Sequence, residues 1–440
     1  MQIDRRRLIA GLGGALLLPS PVAGQPAIRR EVRRLILRAR PATRALRSGE
    51  PPSEIWALEP ADEAPMPSFR RGDNVAATFH NDLSVPAVLN WHGLDGNSAS
   101  EPLTARAAVP PGGKDEWTLV LNHAGTLFCE ARLLGDGQSR ATGSIAQTVQ
   151  EDPPVTIDRD EVLLIEDWRI GRDGNTSAPG TAAEGNPPLQ TVNGKPSQDI
   201  TLKASQRLRI RFINGCQRNV IAVKIQNHDM RVMAIDGQPS EPFMARDSRL
   251  VLAPGTRIDA LIDAAAAPGS SSEILLHDGT QARSIGRLLT SDEASPRNAP
   301  LPAPSAFPSN GLPEQLDLKA ALRTELSLNR SAGESGGWIT PAQFKPSIAP
   351  AFRVKRNRTV VVALTNRTTT PVTFHLHGHH FRLLDRLDDG WKPFWLDTLL
   401  VDTGQTQRIA FKAEFTGVWL LEAMAADWAA SRLVRTYAVE

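Results

Sequence analysis

One sequence pattern occurs three times along this chain, and the three copies are only partly alike. The stretches RRGDNVAATFHNDL (70–83), KASQRLRIRFINGC (203–216) and VKRNRTVVVALTNRT (354–368) each start with a basic or polar turn, continue as an alternating strand and reach an Asn. Alternation places the apolar side chains on one face of a strand, and Asn favours the turn that follows. A repeat at roughly 130 to 150 residues predicts three copies of one β-sandwich domain.

Turn-forming residues and charge balance support a globular, mostly β protein. The 440 residues include 34 Pro and 33 Gly among short alternating apolar runs, which is typical of strands joined by tight turns. Fifty Lys and Arg nearly balance 48 Asp and Glu and are scattered, so no basic face for nucleic acid is expected. We predict domains at 28–150, 155–290 and 331–440, with a Pro- and Ser-rich linker at 291–330.

The first 24 residues are typical of an export signal. Arg5, Arg6 and Arg7 precede a Gly-rich, mildly apolar stretch, and small residues follow near Ala23. Consecutive arginines before such a stretch indicate a twin-arginine signal, which predicts a periplasmic protein. No later segment approaches the roughly 20 apolar residues of a membrane span, so none is expected in the mature chain. The two cysteines, Cys129 and Cys216, could pair, but we expect both to be small buried residues.

Several motifs resemble those of three-domain multicopper oxidases. They are NWHGL (90–94), GTLFCEARLL (125–134), FHLHGHHFRLL (374–384) and GVWLLEAMAADWAASRL (417–433), in the family's order and spacing. The resemblance implies an all-β fold of three cupredoxin-like Greek-key β-sandwich domains. It also implies a type 1 copper in the third domain and a trinuclear copper cluster between the first and third. The ligands of such sites are histidine and cysteine, because imidazole and thiolate suit copper.

Most of the ligand positions that the resemblance implies are substituted. The type 1 positions hold Val372, Ala423, Trp428 and Leu433, none of which can bind copper. Of the cluster positions, His92, His375 and His377 keep a histidine, and the remodelled ones are Asn90, Glu130, Arg132, Glu422 and Met424. His379 and His380 lie outside the ligand pattern, and we expect both to be strand or loop residues near a surface.

Two interpretations of the substituted cluster are open. His92, Glu130, His377 and Glu422 could form a new zinc or hard-metal site. Against this, Arg132 brings a permanent positive charge that would repel a cation and pair with a carboxylate. The favoured interpretation is a polar plug in which Arg132 and Glu422 form a buried ion pair with His377 hydrogen-bonded beside it.

These observations favour binding over catalysis. The chain resembles degenerate, copper-free multicopper-oxidase relatives of the SufI/FtsP-like type, which implies a periplasmic binding or scaffold protein, connected with the envelope or with cell division. We therefore expect no catalytic residues, no cofactor and a protein partner in the periplasm. The alternative is a copper-dependent or remodelled-metal oxidoreductase, a laccase-like multicopper oxidase, with copper or another divalent metal as cofactor.

Overall fold

Strand ladders arrange the described residues into six sheets that occur as three successive pairs. The computed structural model describes residues 33–61, 66–134, 140–171, 174–181, 187–264, 266–328, 337–385, 390 and 392–440. The predicted signal peptide at 1–24 lies outside the described residues. Residues Val32–Glu440 form one compact unit, so contacts between the sheet pairs belong to a single body.

The first sandwich consists of two four-stranded sheets with orders β2-β1-β4-β6 and β3-β8-β7-β5. In β4 every second residue is buried, and Val75, Ala77 and Phe79 pack inside, as the alternation in the first repeat predicts. Cys129 is buried in the same core and is not in a disulfide. The strands are β1 Arg33–Arg44, β2 Ser53–Pro60, β3 Phe69–Arg70, β4 Asn74–Asn81, β5 Ala87–His92, β6 Gly113–Val120, β7 Gly125–Leu133 and β8 Ser144–Gln150.

The second sandwich pairs a six-stranded sheet, β10-β9-β12-β17-β14-β15, with a five-stranded sheet, β11-β19-β18-β13-β16. The second repeat forms β12, whose Leu208, Ile210 and Phe212 lie in the core, and Cys216 is buried beside them as a free thiol. The strands are β9 Arg159–Trp168, β10 Leu189–Val192, β11 Ile200–Leu202, β12 Arg207–Asn214, β13 Ile221–Ile225, β14 Arg231–Ile235, β15 Gln238–Met244, β16 Arg249–Leu252, β17 Arg257–Asp263, β18 Ser271–His277 and β19 Ala282–Thr290.

The third sandwich pairs the sheets β20-β22-β26-β24 and β21-β28-β27-β23-β25. Its first strand, Leu322–Leu328, lies inside the segment that the sequence assigns to the linker, and it pairs in parallel with β22. The strands are β20 Leu322–Leu328, β21 Arg353–Val354, β22 Thr359–Asn366, β23 Val372–Leu376, β24 Arg382–Leu384, β25 Thr398–Val401, β26 Thr406–Lys412, β27 Gly417–Ala425 and β28 Leu433–Val439.

The described residues form strands and only short helical turns, at Ser98–Ser100, Arg246–Ser248 and Pro341–Gln343. The predicted all-β class of cupredoxin-like sandwiches is therefore confirmed. In the described part of the chain no helix is long and apolar enough to cross a membrane.

Candidate functional site

Four strands bring the substituted cluster positions together between the first and third sandwiches. β5 carries Asn90 and His92, and its neighbour β7 carries Glu130 and Arg132, with Asn90 opposite Glu130. In the third sandwich, His375 on β23 lies opposite Glu422 on β27. Residues two apart on a strand share a face, so Met424 lies on the same side of β27 as Glu422. His377 directly follows the end of β23, and its Nε2 lies 3.5 Å from Glu422 Oε1. All of these side chains are buried.

An ion pair joins the two sandwiches at the centre of this interface. Arg132 Nη2 lies 2.5 Å from Glu422 Oε2 and 3.0 Å from Glu130 Oε1, and both ends of the 2.5 Å pair are buried. The predicted pair between Arg132 and Glu422 is therefore present. Burial alone would raise the pKa of Glu422, but Arg132 and His377 hold it well below its usual range. Glu422 is thus a carboxylate, and its charge is matched inside the protein.

His377 lies between two carboxylates. Its Nδ1 is 2.8 Å from Glu101 Oε1, and its Nε2 is 3.5 Å from Glu422 Oε1. Burial alone would lower the pKa of His377, but Glu101 and Glu422 raise it to about 9. His377 therefore holds a proton on each ring nitrogen at neutral pH. Glu101, which the sequence analysis missed, also accepts the N–H of Leu420 and so is fixed by the third sandwich.

His92 and His375 form a stacked pair of neutral imidazoles. Their ring centroids are 3.8 Å apart with an interplanar angle of 12°, and the His375 and His377 rings are 4.4 Å apart. Burial lowers the pKa of both His92 and His375, so neither ring carries a charge at neutral pH. Neutral imidazole is the form that binds metals.

The former type 1 positions are ordinary core. Val372, Ala423 and Leu433 are each 1 % exposed and belong to the core of the third sandwich, and Trp428 is 4 % exposed. Val372 lies directly opposite Ala425, and Leu433 lies opposite Ala423. A blue copper centre needs a cysteine thiolate, and Ala423 offers none. The residues present therefore do not fit type 1 copper.

This substitution predicts the optical spectrum of the copper-loaded protein. We expect copper addition to produce no intense blue thiolate-to-copper band, because the nearest thiols, Cys129 and Cys216, belong to other sandwiches. An absorption titration with Cu(II) checks this, and a strong blue band would contradict the assignment of Ala423 to the thiolate position.

A second buried network, which the sequence analysis missed, joins all three sandwiches. Arg257 on β17 donates to both carboxylate oxygens of Asp397, at 2.8 Å each, and to the carbonyl oxygen of Asp236. His380 Nδ1 lies 2.8 Å from Asp95 Oδ2, and its Nε2 lies 2.9 Å from the carbonyl oxygen of Asp236. Asp236, Arg257 and Asp397 lie in stretches that resemble the family's motifs, and histidines are dense around His380, but neither signal shows that these residues meet.

The expectation that His379 and His380 lie near a surface is wrong, because each is 2 % exposed. His379 Nδ1 lies 2.7 Å from the Tyr437 hydroxyl, and its Nε2 accepts the N–H of Phe415. Gly378, between these histidines and His377, has φ +75°, and an added Cβ would lie 2.2 Å from Trp419. The glycine thus allows the chain to turn into the interior after β23.

The charge of His380 predicts a pH dependence of stability. Burial alone would lower its pKa, but Asp95 raises it to about 9. A pKa raised above the unfolded value of about 6.5 stabilises the fold fully below that pH, and this contribution is lost as pH rises towards 9. We expect His380→Gln to reduce the free energy of unfolding more at pH 6 than at pH 9.5, measured by denaturant titration. An equal reduction at both values would contradict a charged His380.

Two sets of three side chains at the interface could each hold one metal ion. His92, His375 and Asp397 each offer one ligand atom within 4.8 Å of the others, and His375, His377 and Glu422 do the same. Imidazole nitrogen and carboxylate oxygen are suitable ligands for Cu(II) and Zn(II). Arg257 engages Asp397 and Arg132 engages Glu422, which leaves the neutral pair His92 and His375 as the best donors.

Comparisons with known proteins identify multicopper oxidases. Family models described as "Multicopper oxidase" match residues 160–271 and 317–440. The multicopper oxidase MmcO of Mycobacterium tuberculosis is 23% identical over 419 residues, covering 83% of this chain and 80% of its own. Laccase-1 of Melanocarpus albomyces is 25% identical over 441 residues, covering 79% and 68%. The crystal structure of a multi-copper oxidase from Pseudomonas thermotolerans superposes with a TM-score of 0.79 at 22% identity, covering 93% and 100%.

These findings correct two predictions. A copper-free binding or scaffold protein is contradicted, because the relatives that span most of the chain are named multicopper oxidases and laccases, which favours the alternative oxidoreductase. The expectation of no cofactor is contradicted as well, since the matching family is named for copper and buried His and carboxylate groups lie close enough to hold a metal.

The fold, the order of the motifs and the extent of the matches all indicate the same family. The two matched segments fall in the second and third sandwiches, and the first sandwich supplies His92 on the strand that faces the third. The chain therefore belongs to the multicopper oxidase superfamily.

Proposed function

We propose that this protein is an oxidoreductase of the laccase-like multicopper oxidase class that uses a non-blue metal site between the first and third sandwiches. The observation that supports the proposal most is that His92 of the first sandwich and His375 and Asp397 of the third each offer a ligand atom within 4.8 Å of the others. Two neutral imidazoles beside buried carboxylates are a donor set that suits copper. A thiolate site of the type 1 kind is not part of the proposal.

The residues around this pair have separate roles. His92 and His375 would hold the ion, with Asp397 or Glu422 as the nearest carboxylate. Bound copper would supply one-electron chemistry with dioxygen. His377 holds a proton at Nδ1 against Glu101 and at Nε2 towards Glu422, so a proton donor stands beside the site at neutral pH. Arg132 orients Glu422 and excludes a second cation from its oxygen.

Oxygen consumption tests the activity. Copper-loaded parent protein is supplied with a phenol, and we expect consumption that depends on both copper and phenol. We expect His375→Ala to lower the rate at least about tenfold, in line with the loss that a change at a metal site produces. His228→Ala is the control, because His228 is a buried histidine of the second sandwich outside the interface. Equal rates for the parent and His375→Ala would overturn the proposal.

We also propose export to the periplasm by the twin-arginine route, on the basis of Arg5 and Arg6 before an apolar stretch. Replacing both by Lys keeps the charge and removes the paired guanidinium groups. We expect the double variant to accumulate in the cytoplasm, measured by cell fractionation, and unchanged delivery would point to the general secretory route. A periplasmic protein partner stays a prediction.

A further inference from the structure

A cleft rich in arginine opens where the three sandwiches meet. Its walls include Arg132, Arg140, Arg218 and Arg432, and we call it the arginine cleft. Its volume is about 340 Å³, within the range of roughly 300 to 1,000 Å³ of small-molecule sites. Glu130 is the carboxylate among its described lining residues, so cations outnumber anions on its walls.

Glu130 is already shared by two of the arginines. Arg432 donates to both of its oxygens, at 2.9 and 3.1 Å, and Arg132 donates to Oε1 at 3.0 Å. The second carboxylate nearby, Glu422, pairs with Arg132 behind the cleft wall. Arg140 pairs with Glu54. The fourth arginine, Arg218, forms no ion pair within 4.0 Å with a described carboxylate, and the charges of Glu130 and Asp167 act on it only from farther away.

Arg218 is buried without a carboxylate partner among the described residues. It is 4 % exposed, and no described Asp or Glu oxygen lies within 4.0 Å of it. Its guanidinium donates to the carbonyl oxygens of Gln217 and Ala430 and to the sulfur of Met424, and its Nε has no partner. A buried charge persists when something compensates it, and neutral acceptors compensate a guanidinium only in part.

The surroundings of Arg218 also suit an anion. Burial, together with the nearby Arg432, lowers the pKa of Arg218 to about 9. Neutral hydroxyl donors line the cleft beside the arginines, from Thr142, Thr181, Thr340 and Ser431. A guanidinium fork with hydroxyl donors around it is the arrangement that recognises carboxylate and phosphate groups.

We propose that the arginine cleft binds a small organic anion that carries a carboxylate or phosphate group, with Arg218 as its buried cationic partner. Arg432 and Arg140, at the more exposed side of the cleft, would face the rest of the ligand. The proposal does not rest on the oxidoreductase activity, because none of these arginines holds the metal.

Calorimetric titration tests the proposal with the protein as purified, at constant ionic strength in potassium chloride. Succinate represents the carboxylate class and inorganic phosphate the phosphate class, and we expect at least one of them to bind. Arg218→Met should weaken binding by about tenfold or more, as removal of one partner of a buried charge pair does. Arg287→Met is the matched control, because Arg287 pairs with Asp199 on the surface of the second sandwich, and it should bind like the parent.

A second variant and a melting curve separate binding from a structural role. Arg218→Lys keeps the charge but loses the fork, and it should bind more weakly than the parent. In chloride alone Arg218→Met should melt no lower than the parent, while losing the rise in melting temperature that the bound anion gives the parent. Binding of neither anion to the parent would overturn the proposal, as would parent-like affinity in both Arg218 variants.

Discussion

Glu422→Ala is expected to destabilise the protein by about 3 to 5 kcal/mol, because it removes the closest carboxylate from the buried Arg132 and leaves Glu130 to compensate both Arg132 and Arg432. Arg132→Leu should have a similar effect, since it leaves Glu422 without its closest cation. The double variant Arg132→Leu with Glu422→Leu should cost far less than the two single variants summed. Denaturant titration of the parent, both singles and the double measures the coupling.

Neighbouring charges will also affect the comparison of the single and double variants of Arg132 and Glu422. Glu130 and Arg432 remain beside the substituted residues, with Arg432 Nη1 3.8 Å from Glu422 Oε2. Glu130 would then keep Arg432 as its partner in the double variant, so no carboxylate is left alone. Additive effects of the two substitutions would show that Arg132 and Glu422 do not interact.

Arg257→Met is expected to have the second large effect, again about 3 to 5 kcal/mol. Arg257 is 0 % exposed and contacts all three sandwiches, through Thr126 of the first, Asp236 of the second and Asp397 of the third. Burial alone would raise the pKa of Asp397, but Arg257 holds it far below its usual range. Loss of the guanidinium therefore removes the closest cation from a buried carboxylate, and His380 Nε2, 3.8 Å from Asp397 Oδ2, compensates that charge only in part.

Two further variants separate charge from geometry at this position. Arg257→Lys keeps the charge but lacks the two nitrogens that donate to the two Asp397 oxygens, so its stability should fall between those of the parent and Arg257→Met. Arg257→Met with Asp397→Leu removes both charges and should recover part of the lost stability. Thermal unfolding of the three variants checks the order, and a double variant no more stable than Arg257→Met would contradict the pairing.

The sequence was sufficient for the fold because the repeated strands determine it. The alternation in β4 decides which of its residues face the core, and a shift of one residue would turn them all to the more exposed face. The contact between β7 and β27 could also be predicted, because the resemblance places Arg132 and Glu422 at positions that serve a common site. Opposite charges at such positions predict an ion pair directly.

The rest of the site depends on contacts that no local pattern contains. Asp95, Asp236 and Asp397 come from three different sandwiches, and each occurs in a loop-like stretch with no periodicity. Glu101 lies in a turn region far from any motif, although it fixes the proton on His377. The sequence around Arg218 did not indicate a binding site either. Arg218 is of interest because no described carboxylate lies within 4.0 Å of it, and only the folded structure shows this.

The function was misjudged for a related reason. The prediction of a copper-free binding protein depends on the lost ligands of type 1 copper. The surviving residues, however, form a compact set of donors. His92 and His375 stack at 3.8 Å, and both imidazoles are neutral because they are buried. Their proximity across two sandwiches is a property of the folded chain.

Electron paramagnetic resonance of the copper-loaded mature protein is the most direct test of a non-blue metal site at this interface. After removal of free metal, we predict a Cu(II) signal with nitrogen and oxygen ligands, without thiolate character. The nitrogen coupling should be lost or reduced in His375→Ala and retained in His228→Ala. A protein that keeps no copper, or a signal unchanged in His375→Ala, would contradict the proposed site.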